Sequence, residues 1–142
     1  MNKKIVGGIV VLVLLVLIIA VASSGSGSNT QSQSPLNVSN ISVTSQGYGM
    51  YNVNTKVVPN KDFSYLEMAV IFYDSDGAVV GTSPLVWNVN DAKQGQTYKV
   101  QGSATANTGS TPKKATVFFF DSAFSGGDTS SAIWAQNVTL KD

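Results

Sequence analysis

The 142-residue chain contains no cysteine and no histidine, and all nine of its basic residues are lysines. The lack of cysteine excludes disulfides, thiolate metal sites and cysteine nucleophiles. The lack of histidine removes the commonest general base and the commonest transition-metal ligand. Without arginine there is no planar side chain for bidentate recognition of phosphate or guanine. We therefore predict a protein that is not an enzyme and that holds no metal or other cofactor.

Charge is also scarce, at 12% of residues, and the formal net charge is only +1. Beyond Lys3 and Lys4 the balance reverses, because seven lysines then face eight acidic residues. A strongly basic patch or stripe is the usual electrostatic signature of nucleic-acid binding. We therefore predict no nucleic-acid partner.

The longest apolar run covers residues 5–22 and contains no charged or polar side chain. As a helix it would span about 27 Å, which is just enough for the hydrocarbon core of a bilayer. Lys3 and Lys4 precede it, and the next lysine is Lys56. The positive-inside rule therefore predicts a single-pass anchor in the cell membrane, with residues 1–4 in the cytoplasm and the rest outside.

A cleaved signal peptide is the alternative interpretation of this run. Residues 20–22 read Ala-Val-Ala, which is the small-residue pattern of a cleavage site, and cleavage would release a secreted binding domain. The apolar run is longer than the usual core of a signal peptide, which is about 7–15 residues. We therefore favour an uncleaved signal anchor that contacts the lipid bilayer through residues 5–22.

Residues 23–34 read SSGSGSNTQSQS and contain neither charge nor apolar bulk. Such a segment cannot form a core, and it is typical of a flexible linker. Its mean reach of about 20 Å would hold the following domain near the membrane without orienting it.

Residues 35–142 contain every aromatic residue and show short runs of alternating apolar and polar side chains between turn residues. This pattern predicts an all-β domain. Its seven predicted strands cover residues 36–45, 50–58, 64–74, 78–88, 97–106, 115–121 and 132–140. In the first strand, Leu36 and Val38 are out of phase with Ile41 and Val43 in the period-two alternation. A bulge near Ser39 and Asn40 would bring both pairs onto the same face of the strand. Pro84 suggests that the fourth strand lies at an edge or is interrupted.

The sequence Ser75-Asp76-Gly77 separates the third and fourth strands and predicts a tight hairpin. Seven short strands with such turns favour a two-sheet antiparallel sandwich of immunoglobulin-like kind. In that arrangement the third and sixth strands are neighbours. Because the usual disulfide between the sheets cannot form, apolar packing must hold them together.

Residues 63–81 resemble the FxLYD domain family, in which an aromatic or aliphatic residue, a spacer, Leu, Tyr and Asp lie on a strand before a turn. Val70, Phe72, Tyr73 and Asp74 would occupy those positions, with Val in place of Phe and Phe in place of Leu. Residues 93–98 also resemble the turn before the family's next strand, with its Pro and Glu replaced. The resemblance covers residues 41–121. It implies an extracytoplasmic immunoglobulin-like module, often behind a membrane anchor, without a general catalytic site.

Two motifs could carry chemistry but are better explained as loops. Asp74-Ser75-Asp76-Gly77 matches the start of an EF-hand calcium loop, but Leu85 stands at position twelve, where a Glu ligand is needed. Residues 110–113 match the Ser-x-x-Lys nucleophile motif, but no helix follows and the supporting motifs are missing. Residues 107–112 and 122–131 are interpreted as polar connections, the second of them flexible.

Three sequons are candidate glycosylation sites, since the predicted topology puts them outside the cell; their asparagines are Asn37, Asn40 and Asn137. Asn37 and Asn40 lie close to the linker.

Large apolar side chains occupy both faces of the third and sixth strands, whereas a monomer needs only one apolar face. If one face packs in the core, the other forms an outward strip; its members are Tyr65, Ile71, Tyr73, Phe118 and Phe120. We interpret this strip as a candidate contact for an unknown protein, an envelope component or a second copy of the chain. Cover by a neighbouring loop is the alternative.

These features favour a non-enzymatic, membrane-anchored surface module that binds protein or carbohydrate or organises the envelope. The alternative is a pilin-like structural subunit of a surface filament, although the linker would interrupt the long helix that such filaments pack.

Overall fold

The computed structural model describes residues 33–141. All seven predicted strands are present, together with a short 3-10 turn at Thr129–Ser131. The strands are β1 (Leu36–Gly47), β2 (Met50–Pro59), β3 (Phe63–Tyr73), β4 (Val79–Ala92), β5 (Tyr98–Thr105), β6 (Lys114–Phe120) and β7 (Trp134–Thr139). The largest difference between predicted and observed strand bounds is at the end of β4. The sequence predicts that this strand ends at Asn88, but it continues to Ala92.

The strands form two antiparallel sheets, with orders β1-β2-β5 and β4-β3-β6-β7. The prediction of an all-β, two-sheet antiparallel architecture is therefore confirmed. The predicted neighbours β3 and β6 pair along their length, from Glu67 opposite Phe120 to Tyr73 opposite Lys114. The strand that contains Pro84 lies at an edge, where the missing N–H of proline costs no ladder hydrogen bond.

The core lies between the sheets and follows the period-two alternation of the sequence. On β3 the four core-facing side chains are fully buried; they are Leu66, Met68, Val70 and Phe72. Facing residues of the other sheet include Val53, Val57 and Val100. The ring of Phe72 lies 4.8 Å from that of Tyr51 on β2. The predicted burial of Phe72 between the sheets is confirmed, and apolar packing joins the sheets without a disulfide.

Both predicted irregularities are present. In β1 the pairing with β2 shifts between Ser39 and Ser42, and Asn40 has φ 55°. The Thr55 hydroxyl donates to the Ser39 carbonyl at 2.7 Å, which holds this bulge against the neighbouring strand. In β4 the pairing with β3 shifts between Ser83 and Trp87, around Pro84.

The predicted hairpin between β3 and β4 is confirmed. The Gly77 N–H donates to the Asp74 carbonyl at 3.1 Å, and Gly77 has φ 83°, which glycine adopts without steric cost. The Asp74 carboxylate accepts from the N–H groups of Asp76 and Ala78. The motif that matched a calcium loop therefore uses its first carboxylate to close the turn.

The predicted membrane anchor at residues 5–22 lies outside the described residues, as does all but the end of the predicted linker. Within residues 33–141, no helix is long and apolar enough to cross a membrane.

Candidate interaction surfaces

The five residues of the predicted strip all lie on the outer face of the four-stranded sheet. Tyr65, Ile71 and Tyr73 alternate along β3 with the buried core residues. Phe118 and Phe120 flank Phe119 of the core, and their rings stack on each other with centroids 6.2 Å apart.

Their exposure, however, is not uniform. Phe120 is fully buried, so the prediction that it belongs to an outward contact surface is wrong. Ala69 and Glu67, on the same face of β3, are also fully buried although they lie outside the core between the sheets. Something other than the second sheet must therefore cover this part of the face.

The cover is the β6–β7 connection, which crosses the sheet toward β4. Three consecutive backbone N–H groups of this loop donate to the Glu67 carboxylate. Those of Phe124 and Ser125 lie 2.9 and 2.8 Å from their acceptor oxygens, and that of Gly126 lies at 3.1 Å. The interpretation of residues 122–131 as a flexible connection is therefore wrong for this part of the loop.

Two features of the loop allow this arrangement. Phe124 has φ 58°, in the left-handed region, and such a turn directs successive N–H groups toward a single anion. Gly126 passes so close to β4 that an added Cβ would lie 1.9 Å from the Pro84 carbonyl oxygen. Only glycine fits at that crossing. Phe124 itself is 85% exposed, because the loop holds its backbone against the sheet and leaves its ring in solvent.

Glu67 also accepts a hydrogen bond from the Tyr65 hydroxyl at 2.8 Å, so both carboxylate oxygens are occupied. Burial raises the pKa of the Tyr65 hydroxyl above its usual 10.0, and the hydrogen bond to Glu67 raises it further. The alternation of side chains along β3 puts Glu67 on this face, but it does not predict that Glu67 binds the loop. A single acid within the apolar run 66–72 is the signal that could have identified it.

The remaining part of the strip is open. Ile71, Tyr73 and Phe118 are half-buried, and the Lys114 ammonium lies 5.0 Å from the centre of the Tyr73 ring. Ala135 of β7 stands directly opposite Phe118 and is exposed. Tyr65 is also half-buried, but its hydroxyl is bonded to Glu67 beside the loop. The open remainder of the strip, which we call the aromatic patch, consists of Ile71, Tyr73 and Phe118.

The three sequon asparagines, Asn37, Asn40 and Asn137, are all exposed. The amide oxygen of Asn137 accepts a hydrogen bond from the Thr116 hydroxyl at 2.7 Å, which fixes its orientation at the edge of the aromatic patch.

The Ser-x-x-Lys motif and the acidic residue Asp128 both stabilise local turns. The Ser110 hydroxyl donates to the Asn107 carbonyl at 2.7 Å within a turn. Hydrogen bonds from the Ser130 hydroxyl and N–H lower the pKa of Asp128, whose carboxylate caps the 3-10 turn. Within residues 33–141, no three acidic side chains come together as a metal site.

A groove of about 490 Å³ lies between the edge strands β1 and β7. Its lining consists of Ile41, Ser42, Val43, Thr44, Ser45, Val138, Thr139 and Lys141. This is a row of edge-strand residues rather than an apolar pocket with a few convergent polar groups, which is the usual form of a small-molecule site.

No family model matches the sequence, and no curated protein matches it. Among solved structures, the chain is similar to part of a GH3 β-glucosidase from Bifidobacterium adolescentis, with 13% identity, a TM-score of 0.40, and coverage of 74% of this chain and 17% of that one. Similarity to β-glucosidase 3B from Thermotoga neapolitana, solved with glycerol, has 9% identity, a TM-score of 0.42, and coverage of 75% and 16%. The chain is also similar to part of DesR, a β-glucosidase from Streptomyces venezuelae solved with D-glucose. The identity is 12%, the TM-score is 0.42, and the match covers 75% of this chain and 15% of DesR. This chain therefore spans less than a fifth of each enzyme's length, and likeness at this level carries no conclusion about function.

Proposed function

We propose that this chain is a non-enzymatic, membrane-anchored surface module that binds a protein partner through the aromatic patch. In this proposal, residues 5–22 anchor the chain and residues 23–34 tether an immunoglobulin-like domain outside the cell. Two observations support the architecture: the seven-stranded, two-sheet antiparallel fold and the pairing of β3 with β6. The resemblance of residues 63–81 to FxLYD domains points the same way.

The single observation that carries the proposal is the incomplete cover of the outer face. The β6–β7 loop covers Phe120 and Ala69, whereas Ile71, Tyr73 and Phe118 remain half-buried beside the exposed Ala135. A contiguous exposed apolar surface marks an interaction site more often than isolated exposed residues do. Tyrosine and phenylalanine are also enriched in protein interfaces, where their rings bury large areas.

Confinement would strengthen a weak contact of this kind. Burial of two or three rings at about 25 cal/mol per Å² supplies only a modest surplus over the cost of association. A tether of about 20 Å would keep the module and a membrane partner in one layer and raise their effective concentration.

The test is site-specific photocrosslinking in intact cells. A photoreactive residue replaces Ala135, which is exposed and opposite Phe118, and crosslinked products are identified by mass spectrometry. We expect one defined partner, which disappears in the Tyr73→Ser, Phe118→Ser double variant. The matched control is Tyr48→Ser, because Tyr48 is 99% exposed in the turn between β1 and β2, on the other sheet.

The result that would contradict the proposal is an identical product profile in the wild type and the double variant. Thermal unfolding of both variants separates loss of contact from loss of fold. A double variant that unfolds would place the two rings in the folded core rather than at a surface.

A further inference from the structure

Two lysines from distant parts of the sequence face each other on the three-stranded sheet. Lys56 of β2 is directly opposite Lys99 of β5, and both side chains are exposed. They point outward, because the neighbouring Val57 and Val100 pack in the core. Within residues 33–141, neither ammonium has an ion-pair partner. Like charges opposite each other on paired strands are destabilising, so this pair weakens the free domain unless an anion lies between them.

The two lysines border a shallow depression of about 280 Å³. The β1 bulge at Asn40 helps to form it, because pairing with β2 stops at Ser39 and resumes at Ser42. The other residues that line it are uncharged; they are Asn40 in the bulge, Asn54 and Gln101 on the outer face, and Thr55 and Val100, whose side chains are themselves buried. Because Thr55 is bonded to the Ser39 carbonyl, the bulge is fixed rather than loose.

Beyond the depression, the same outer face carries two further rows of neutral hydrogen-bonding side chains. The first row is Ser42, Asn54 and Gln101, and the second is Thr44, Asn52 and Ser103. Adjacent strands lie about 4.8 Å apart, and the rows are about 6.8 Å apart along the strands. Hydroxyls and amides both donate and accept hydrogen bonds, so this surface matches a ligand that is rich in hydroxyl groups.

We propose that this face binds an acidic polysaccharide, with a sugar carboxylate between Lys56 and Lys99 and neighbouring sugar hydroxyls on Asn54 and Gln101. Charge complementarity favours an anion between the lysines, and the neutral hydrogen-bonding rows favour a sugar chain over other anionic polymers. A bilayer surface fits less well, because the two rows beside the lysines offer no apolar side chain to insert among lipids. The apolar side chains of β2 on this face, Met50 and the half-buried Val58, lie outside these rows. The site is on the sheet opposite the aromatic patch and therefore goes beyond the proposed protein contact.

The site also has a consequence for the sequon at Asn40. Because Asn40 lines the depression, a glycan attached there would occupy the same space as the proposed ligand. The experiment therefore uses protein made without N-glycosylation.

The test is an NMR titration of the ¹⁵N-labelled full chain in phosphatidylcholine nanodiscs, with an oligogalacturonate as the probe. We expect saturable shifts at the amides of Asn54, Lys56, Lys99 and Gln101, and none with the neutral maltohexaose. The Lys56→Gln, Lys99→Gln double variant should bind about tenfold more weakly, since charge-assisted hydrogen bonds are lost. The matched control, Lys61→Gln with Lys93→Gln, removes the same charge from exposed positions in the β2–β3 and β4–β5 connections, outside this face, and should keep wild-type affinity.

A measurement without ligand checks that the lysine variants fold. Relief of the like-charge pair predicts a melting temperature equal to or above that of the wild type. Three results would overturn the proposal: no saturable shift with oligogalacturonate, equal binding of maltohexaose, or equal weakening by the control. Shifts at the same amides produced only by phosphatidylserine nanodiscs would also overturn it in favour of a lipid site. Crosslinking at Ala135 reports on the other sheet, so the two proposals can fail independently.

Discussion

The two outer faces of this sandwich differ in how they meet solvent. The outer face of the four-stranded sheet carries large apolar groups, and the part of it around Glu67 and Phe120 is covered by the β6–β7 loop, which is bonded to Glu67. The face of the three-stranded sheet carries amides, hydroxyls and two lysines that have no ion-pair partner among residues 33–141, and its residues beside the Asn40 bulge line an open depression. The comparison shows that strand alternation alone does not decide exposure, because a connection between strands can bury an outer face.

The largest effects are expected where side chains are fully buried, whichever face they occupy. Phe72→Ala, in the core, should lower the free energy of unfolding by about 3–5 kcal/mol. Phe120→Ala should cost a similar amount, about 3–5 kcal/mol, although Phe120 lies on the outer face. Urea denaturation measures both, with Lys141→Ala as a control that should change almost nothing. If Phe120→Ala behaved like Lys141→Ala, the loop would not cover the outer face.

The next largest effect is expected from the three hydrogen bonds that join the β6–β7 loop to the Glu67 carboxylate. Glu67→Gln keeps the side-chain shape but replaces an acceptor oxygen with an NH₂ donor that faces backbone donors. Leaving buried N–H groups unsatisfied should cost about 2–3 kcal/mol. Hydrogen exchange should become faster at Ser125 and Gly126, whose N–H groups bond to the affected carboxylate.

Asp128→Asn is the matched control for Glu67→Gln, because it changes an exposed acid in the same connection. It should alter stability by about 0.5 kcal/mol or less, because the amide oxygen of asparagine can still cap the 3-10 turn. Equal protection of Ser125 and Gly126 in the wild type and in Glu67→Gln would show that Glu67 does not hold the loop.

A smaller effect should appear at high pH. Because the folded state raises the pKa of Tyr65 above 10.0, through burial and then its bond to Glu67, the folded state keeps the proton after the unfolded state has lost it. The unfolded state then binds fewer protons, so stability should fall as pH rises above about 10. Tyr65→Phe should flatten this fall, whereas Tyr48→Phe, which changes an exposed side chain, should keep the wild-type slope. A wild-type slope in Tyr65→Phe would contradict this account.

The contrast between the faces also explains what the sequence could predict. Alternation and turn residues predict the seven strands, the bulge at Asn40 and the 74–78 hairpin, because each depends on neighbours along the chain. The burial of Phe120 depends on backbone N–H groups that bind a carboxylate far away in sequence. The pairing of Lys56 with Lys99 likewise depends on the register of two strands that are not consecutive. Neither contact leaves a periodic signal in the sequence.

The most direct test of the central claim is single-cysteine labelling with a membrane-impermeant maleimide, for which the absence of native cysteine leaves no background. Gln96→Cys, in the exposed β4–β5 turn, should label rapidly on intact cells if the domain lies outside. Ala135→Cys, beside the aromatic patch, should label slowly on cells and rapidly after purification, because a partner covers it only in the cell. Gln96→Cys that stays unlabelled on intact cells, or Ala135→Cys that labels equally fast on cells and after purification, would contradict a surface module that binds through this patch.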